Sequence, residues 1–153
     1  DLGAYYKGFH SDLSYTVEVG STKESNFLEA GEKALEASIS EAVVGGTVGD
    51  ISHAMQKVIE DAGYSVSRDL VGHGIGKELH ESPYVPCYGQ KGKGVVLKEG
   101  MVLAIEAIYQ KGKPDLKLDS DGWTLKTKDG SLSGLFEKTV AITKNGPLII
   151  TNY

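Results

Sequence analysis

The stretch "MVLAIEAIY" at residues 101–109 decides the fold, because every residue in it is apolar except Glu106. A short apolar run of this kind predicts a buried strand. An unpaired carboxylate in such a strand costs several kcal/mol or is held in its neutral form. We therefore expect Glu106 to meet a metal ion or a partner charge, unless one face of the strand is open to solvent.

The stretch "GLFEKTVAIT" at residues 134–143 repeats this pattern, with Glu137 as its acidic residue. Either acid alone would also fit a strand that turns one face to solvent. Two such acids, together with an aspartate pair and a loop rich in histidine and glycine, favour a shared polar site inside the fold.

The remaining patterns predict one α+β domain over residues 1–153, in which a hairpin and two helices precede mostly antiparallel strands. Ser21 and Glu24 have the spacing of a capping box at the start of the first helix. The helices are expected from that box to about Val43 and from about Val48 to Ala62, with Gly63 as the stop. Further strands are expected at residues 64–71, 121–127 and 146–153, a loop at 84–100, and a loop or hairpin at 111–121.

Composition excludes several classes of protein. The net charge of -5 and the pI near 5.4 argue against binding to nucleic acid or to an anionic membrane. No apolar run reaches the ~18 residues of a membrane span. The single cysteine, Cys87, excludes an internal disulfide and a thiolate zinc site. It fits a reducing compartment, so we expect a cytoplasmic protein.

A hairpin at residues 1–20 would bring two aspartates together. With Lys7-Gly8 as its turn, Asp1 faces Ser14, and Asp12 lies diagonal to Asp1 on the same face. Diagonal neighbours are ~7–8 Å apart at the backbone, so the two charges repel unless a cation lies between them. The alternative is a pair of solvated aspartates on an exposed face.

The stretch "GHGIGKELHESP" at residues 72–83 holds His73 and His80 among three glycines. Glycines on both sides of His73 let the backbone approach closely and direct the ring. The stretch lacks the G-x-G-x-x-G spacing of a dinucleotide loop, and no nucleophile-elbow motif supports a serine hydrolase. Four carboxylates and one imidazole instead make an oxygen-rich ligand set that suits Mn²⁺, Fe²⁺, Co²⁺ or Zn²⁺ in a two-metal cluster. The candidate ligands are Asp1, Asp12, His73, Glu106 and Glu137.

These residues, in this order, resemble the C-terminal, larger part of the type I methionine aminopeptidases, which are dimetal enzymes of the pita-bread fold. The matching motifs are "DLGAYYKGFHSD", "GHGIG", "LAIEA" and "LFEKT", and "DGWTLKTKDGSLSG" before Glu137 is similar as well. The resemblance covers essentially the whole chain.

The resemblance implies a role for each ligand. Asp1 and Asp12 would bind one of two divalent ions, and His73 and Glu106 the other. Asp12 and Glu137 would bridge them. A hydroxide between the metals would attack the carbonyl of the N-terminal methionine of a nascent polypeptide.

The same resemblance implies three further roles and an oligomeric state. Glu106 would also carry a proton from the attacking water to the leaving amine. His80 would hydrogen-bond the substrate carbonyl and stabilise the tetrahedral intermediate. Leu79 and Trp123 would line the pocket for the methionine side chain. The family is usually monomeric, so we expect a monomer.

The chain departs from the family pattern at several points. It opens on Asp1 with no initiator methionine or signal-peptide pattern, so we expect upstream residues that were removed or belong to another chain. Family members carry strands, helices and a substrate-binding histidine there, so this chain alone is expected to hold metal loosely and to be inactive. Ala107 stands where proline is frequent, and Lys138 where histidine is common. Neither removes a ligand.

Two alternative functions remain open. A proline-specific relative, an Xaa-Pro aminopeptidase or prolidase, usually has a histidine where this chain has Asp69 and an arginine where it has Leu135. A non-catalytic pita-bread binding module typically loses ligands, whereas all five are present here. The other histidines are assigned no ligand role: His53 is expected at the surface, and His10 packed or solvated. Cys87 is expected to be an incidental thiol.

Overall fold

The apolar stretch around Glu106 forms the central strand of a seven-stranded antiparallel sheet, as a computed structural model that describes residues 1–152 shows. The elements in chain order are β1 (Ala4–Tyr6), β2 (Phe9–Ser11), β3 (Leu13–Ser14), α1 (Ser25–Ser40), α2 (Val48–Asp61), β4 (Ser65–Val66), β5 (Val71–Gly74), β6 (Glu81–Pro86), β7 (Val102–Gln110), β8 (Leu116–Leu118), β9 (Leu125–Thr127), β10 (Ser133–Thr143) and β11 (Gly146–Ile149).

The main sheet has the strand order β11-β10-β7-β5-β6, with β3 also paired to β10 and β4 also paired to β7. Two separate ribbons, β1–β2 and β8–β9, stand outside it. Every strand pair among residues 1–152 is antiparallel, so the predicted sheet type is confirmed.

Alternation along β7 and β10 divides the sheet into two faces. Ile105 and Tyr109 of β7 and Phe136 of β10 belong to the buried core that both helices share. The Tyr109 hydroxyl donates a hydrogen bond of 2.6 Å to the Phe27 carbonyl in α1, which ties the helix to the strand. Side chains alternate between the two faces along a strand. Glu106, next to Ile105, and Glu137, next to Phe136, therefore project on the side away from the helices.

The predicted hairpin at the start of the chain is confirmed in its register. Tyr5 pairs with His10 and Tyr6 with Phe9. Lys7 and Gly8 have φ values of 48° and 91°, which is the left-handed conformation that a tight two-residue hairpin turn requires at both centre positions.

The predicted capping box at Ser21 and Glu24 is wrong. Glu24 itself is the N-cap residue of α1, without a side-chain cap. The carboxylate of Glu18 accepts from the backbone N–H groups of Lys23 and Glu24 instead. Ser21 Oγ accepts only from Lys23. The helix also ends at Ser40, earlier than predicted.

The second helix begins where it was predicted, and its cap explains why. Thr47 and Asp50 form a reciprocal capping box in front of α2, and Gly63 follows the helix with a φ of 82°. The other carboxylate oxygen of Asp50 accepts from the Gly92 N–H, so the same side chain also fixes the loop that follows β6. Neither helix of the described residues has the length and apolar content for a membrane span.

Two predicted boundaries in the middle of the chain are corrected. The loop expected at residues 84–100 begins only after Pro86, because β6 is an edge strand, where prolines are tolerated. The single strand expected at residues 64–71 is two strands, β4 and β5. Ser67 Oγ accepts from the Leu70 N–H in the turn between them. The segment at 111–121 contributes β8, which pairs with β9 as a hairpin.

Replacing Gly31 with alanine is expected to destabilise the fold by about 1–3 kcal/mol through overpacking. A Cβ at this position of α1 would lie 2.5 Å from Phe136 Cδ2 and 2.5 Å from the Tyr109 hydroxyl oxygen. This cost should exceed the gain of about 1 kcal/mol in helix propensity. Urea denaturation measures it, with Ser40→Ala at the exposed end of α1 as a control expected within about 0.5 kcal/mol of wild type. An equal or higher stability of Gly31→Ala would contradict the close contact of α1 with the sheet.

Candidate metal centre

A cavity of about 280 Å³ collects the acidic residues that the sequence places inside apolar strands. Its walls come from the segment before β3, from β5 and the loop after it, and from β7 and β10. The lining residues are Asp1, Asp12, Leu70, Val71, His73, His80, Glu106, Ile108, Leu135 and Glu137. All five predicted ligands and the predicted substrate-binding histidine therefore line one cavity.

Strand register brings three of these side chains together. Glu106 of β7 and Glu137 of β10 are direct partners across the strand pair. His73 of β5 is paired with Ala104, which lies two residues from Glu106 and therefore on the same face of β7. The side chains of Glu106 and His73 meet with 3.9 Å between Oε1 and Nε2.

Asp12 joins them from the short connection between β2 and β3. The next strand pairs Ser14 with Glu137, so Asp12 is diagonal to Glu137 across β3 and β10. One ligand atom each from Asp12, His73 and Glu137 lies within 4.8 Å of the others, and all three residues are buried. Three convergent donors at this spacing are sufficient to begin a coordination sphere.

The ring of His73 is oriented by the backbone carbonyl of the next residue, Gly74. Nδ1 lies 2.9 Å from the carbonyl oxygen of Gly74, which can only accept, so Nδ1 carries the proton. The lone pair is then on Nε2, which faces Glu106. A metal-binding histidine usually donates its other ring N–H to a backbone carbonyl or a carboxylate, which fixes the tautomer in this way.

Glycine is required beside this histidine, as predicted. A Cβ at Gly72 would lie 2.5 Å from the Ala104 carbonyl oxygen on the neighbouring strand. A Cβ at Gly74 would collide with the Ser82 carbonyl on the other side. The absence of both side chains lets β5 fit between β7 and β6 and bring His73 into the cavity.

The carboxylates of the cavity are held in an unfavourable electrostatic environment. Burial, with the Asp12 charge as a second cause, raises the pKa of Glu106 to about 7. Burial, followed by the charges of Glu106 and Asp12, raises the pKa of Glu137 to about 8. A divalent cation would relieve both causes, since it replaces lost solvation and neutralises the repulsion. The oxygen-rich donor set with one imidazole therefore fits a divalent metal.

The other predicted site residues differ in how close they come. The ring centroids of His80 and His73 are 4.5 Å apart. Asp1 lines the cavity but is exposed, and it is outside the group of three close donors. Leu79 is half-buried beside Gly3, where an added Cβ would lie 3.7 Å from its Cδ1 atom. Trp123 is not brought to this cavity: it lies between β8 and β9 and is 88% exposed.

The residues assigned no ligand role lie outside the cavity. The ring of His10 packs against Tyr5, with 4.6 Å between the centroids. His53 is half-buried on α2. Cys87 is buried behind β7, where burial raises the pKa of its thiol to about 12, so it is not a reactive nucleophile.

Sequence reasoning missed Thr139, which holds the backbone of Asp12 through its hydroxyl. Alternation places Thr139 on the same face of β10 as Glu137, two residues away. No sequence signal identifies its partner, because Asp12 is 127 positions distant along the chain.

Comparison with known proteins agrees with this geometry. The profile of metallopeptidase family M24 matches residues 1–144. The chain belongs to metallopeptidase family M24. Membership in this family accords with a divalent-metal site at the cavity.

Relatives within the family are named methionine aminopeptidases. The chain is 44% identical to the methionine aminopeptidase of Clostridium acetobutylicum over 153 residues, 99% of the chain and 61% of that relative. It is 43% identical to methionine aminopeptidase 1 of Bacillus subtilis, of which it covers 62%. The chain thus spans a little over three-fifths of the length of these curated relatives.

Solved structures place the chain in the same fold. The methionine aminopeptidase of Thermotoga maritima matches with a TM-score of 0.95 and 43% identity, over 99% of this chain and 61% of that one. A prolidase from Pyrococcus furiosus matches with a TM-score of 0.77 and 30% identity, over 100% of this chain and 40% of that one. The predicted pita-bread fold and the resemblance to methionine aminopeptidases are confirmed.

The metal-free chain is expected to lose stability as the pH rises from about 5 to 8. The folded state raises the pKa of Glu106 and of Glu137 above the usual value of 4.5, so between these values it binds more protons than the unfolded state. The free energy of unfolding must then fall with pH. Chemical denaturation in the presence of a chelator measures the slope.

Two variants show whether the pH dependence of the free energy of unfolding comes from the cavity or from other groups of the chain. Glu137→Gln should flatten the slope and raise the stability at pH 8, because it removes one ionisable group from the cavity. Glu99→Gln, at an exposed position, should leave the slope unchanged. A wild-type stability that rises steadily from pH 5 to 8 would contradict the strained carboxylate cluster.

Proposed function

We propose that this chain carries the catalytic centre of a methionine aminopeptidase, which removes the N-terminal methionine from nascent proteins and peptides. The convergence of buried Asp12, His73 and Glu137, with Glu106 beside them, is the observation that carries the proposal. The names of the relatives and the higher structural similarity to a methionine aminopeptidase support the choice of substrate.

We assign two divalent ions, of Mn, Fe, Co or Zn, to the cavity. Asp1 and Asp12 would hold one ion and His73 and Glu106 the other, with Asp12 and Glu137 shared between them. The position of all five side chains around one cavity supports the assignment. Bound divalent ions would lower the pKa of water and polarise the substrate carbonyl.

Glu106 is proposed to move the proton. Its carboxylate is mostly buried, lines the cavity and faces His73 Nε2, so it lies where a water bound in the cavity would be. It would accept a proton from the attacking water at a carboxylate oxygen and deliver that proton to the leaving amine.

His80 is proposed to act on the substrate rather than on the metal. Its ring is exposed at the mouth of the cavity and packs at 70° to the ring of His73. A ring nitrogen would donate a hydrogen bond to the substrate carbonyl oxygen and stabilise the negative charge that develops there.

Leu79 and Trp123 stay proposals for the methionine pocket. Leu79 is near a proposed ligand, because an added Cβ at Gly3 would lie 3.7 Å from both Leu79 Cδ1 and Asp12 Oδ1. Trp123 offers a large exposed apolar surface at the end of the β8–β9 hairpin. Because it lies outside the metal cavity, its proposed part in the methionine pocket rests on the family resemblance alone.

A proline-specific peptidase is the second candidate, since a prolidase shares the fold over the whole chain. Asp69 and Leu135 count against it, because they replace the histidine and arginine expected in that group. A non-catalytic binding module is disfavoured because the complete ligand set is present in one cavity.

We further propose that residues 1–153 act as one catalytic domain, as a monomer in the cytoplasm. The single core shared by both helices and the main sheet of residues 1–152 supports the first statement. The net charge of -5 accords with a protein that does not act on nucleic acid or an anionic membrane.

Metal binding and substrate choice are tested together. The test uses the intact protein, with the upstream residues that the family pattern predicts. Elemental analysis after reconstitution with Mn²⁺ or Co²⁺ and desalting is expected to find two ions per molecule, and fewer in Asp12→Asn. The reconstituted intact protein should hydrolyse Met-Ala-Ser faster than Ala-Pro-Ala. No retained metal would contradict the dimetal proposal, and a preference for Ala-Pro-Ala would favour the proline-specific candidate.

The two proposed catalytic side chains should differ in their effect on metal. His80→Ala is expected to lower kcat by about 10²–10³-fold without changing Mn²⁺ affinity, since it removes only a donor to the substrate. Glu106→Gln should lower kcat by about 10²–10⁴-fold and weaken Mn²⁺ binding as well. His53→Ala on α2 is the matched control, expected to behave as wild type. Equal loss of metal in both site variants would contradict the separate roles.

A further inference from the structure

The backbone of Asp12 has an unusual set of hydrogen-bond partners. Asp12 is only 8% exposed and lies in the break between β2 and β3, so its N–H and C=O groups need partners other than a continuous strand. One side chain supplies both at short distance, and Thr151 Oγ1 adds a longer hydrogen bond of 3.5 Å to the Asp12 carbonyl. The Asp12 N–H donates to Thr139 Oγ1 at 2.8 Å, and Thr139 Oγ1 donates to the Asp12 carbonyl at 2.8 Å.

The Thr139 hydroxyl takes the place of a strand partner. In the β3–β10 pair, Glu137 faces Ser14 and Lys138 faces Leu13, so Thr139 faces Asp12 in the continuation of the same register. A hydroxyl has one donor and two acceptor lone pairs, and here the donor and one lone pair are used on the same residue. The N–H group and the carbonyl group of Asp12 are therefore both held by the Thr139 hydroxyl.

A second threonine repeats the arrangement at the other end of β3. Thr16 Oγ1 donates to the Leu135 carbonyl at 2.9 Å and accepts from the Leu135 N–H at 2.9 Å. The two-residue strand β3 is thus extended in both directions by threonine hydroxyls. Of the two threonines, Thr139 is the one whose hydroxyl holds a proposed metal ligand.

Thr139 is itself held in place by the end of the chain. Its side chain is 1% exposed. Its N–H donates to Thr151 Oγ1 at 2.9 Å, and its carbonyl accepts from the Ile150 N–H at 2.9 Å. These hydrogen bonds fix the position of Thr139, and its hydroxyl holds Asp12 from that position.

The carboxylate of Asp12 follows its backbone. Oδ1 accepts from the N–H of the next residue, Leu13, at 3.1 Å, so a change in the peptide orientation would move the carboxylate. The same carboxylate is one of the three donors that converge within 4.8 Å. Metal–ligand distances tolerate only about 0.2 Å of deviation, so the position of this backbone controls how well the donors fit a cation.

We propose that Thr139 is a positioning residue that sets the orientation of Asp12 for divalent-metal binding, with Thr151 in turn holding Thr139. The inference rests on the proposed function only through the assignment of Asp12 as a ligand. It adds a residue on β10 that does not itself touch metal or substrate.

Titration of Mn²⁺ into the metal-free protein by calorimetry tests the proposal. Thr139→Val keeps the branched shape but removes both hydrogen bonds, and it should weaken Mn²⁺ affinity by about 10- to 100-fold. Thr139→Ser keeps the hydroxyl and should stay within about twofold of wild type. Thr143→Val removes a hydroxyl from the far end of the same strand, where it donates to Gly146, and should leave the affinity unchanged.

Amide hydrogen exchange without metal gives a second, independent readout. The Asp12 N–H should exchange slowly in wild type and in Thr143→Val, and much faster in Thr139→Val. If Thr139→Val does not fold, Thr151→Val decides. It removes the hydrogen bond that holds the Thr139 N–H and the longer one, 3.5 Å, to the Asp12 carbonyl, and it should weaken Mn²⁺ affinity by about fivefold.

The outcomes separate this inference from the proposed function. A folded Thr139→Val with wild-type Mn²⁺ affinity would overturn the positioning role, as would wild-type affinity in Thr151→Val where the first variant does not fold. Failure of the wild-type protein to bind Mn²⁺ would count against the proposed function instead. The exchange rate of the Asp12 amide would then still decide whether Thr139 fixes this residue.

Discussion

Two carboxylates, one buried and one mostly buried, face each other across paired strands and constrain the whole structure. Glu106 and Glu137 are direct partners in the β7–β10 pair, where like charges normally destabilise a sheet. Burial raises the pKa of both, and the Asp12 charge adds to it at each, with the Glu106 charge a further cause at Glu137. A slip of one residue in either strand would turn its carboxylate into the helix-covered core. The register of the central strands therefore determines which acidic side chains reach the cavity.

Much of the fold and the composition of the site could be predicted from local sequence. The hairpin followed from Lys7-Gly8, because a two-residue turn fixes the register of both arms. The central strands followed from their apolar runs. Glu106 and Glu137 stood out because a carboxylate inside an apolar strand needs a partner, and this requirement is independent of which strands pair.

Long-range partners and competing local contacts could not be predicted. Glu18 replaces the expected cap of α1 because it lies across the turn, where no spacing rule applies. The edge position of β6 tolerates its prolines, and a single sequence does not show which strand lies at an edge. Thr139 is typical of any strand until the fold places it opposite Asp12. Trp123 matched a family motif, but its position depends on the path of the β8–β9 hairpin.

Neighbouring residues on the central strands have different tasks, because one face of the sheet packs in the core and the other lines the cavity. Ile105 and Ala107 flank Glu106 and are fully buried, and Phe136 beside Glu137 packs in the same core. Each carboxylate is therefore held by neighbours that contribute hydrophobic burial on the opposite face. That burial offsets the cost of leaving charge in a desolvated cavity, and a cation that binds there recovers part of it. The packing on the helix side therefore holds Glu106 and Glu137 in the positions from which they would bind a metal ion.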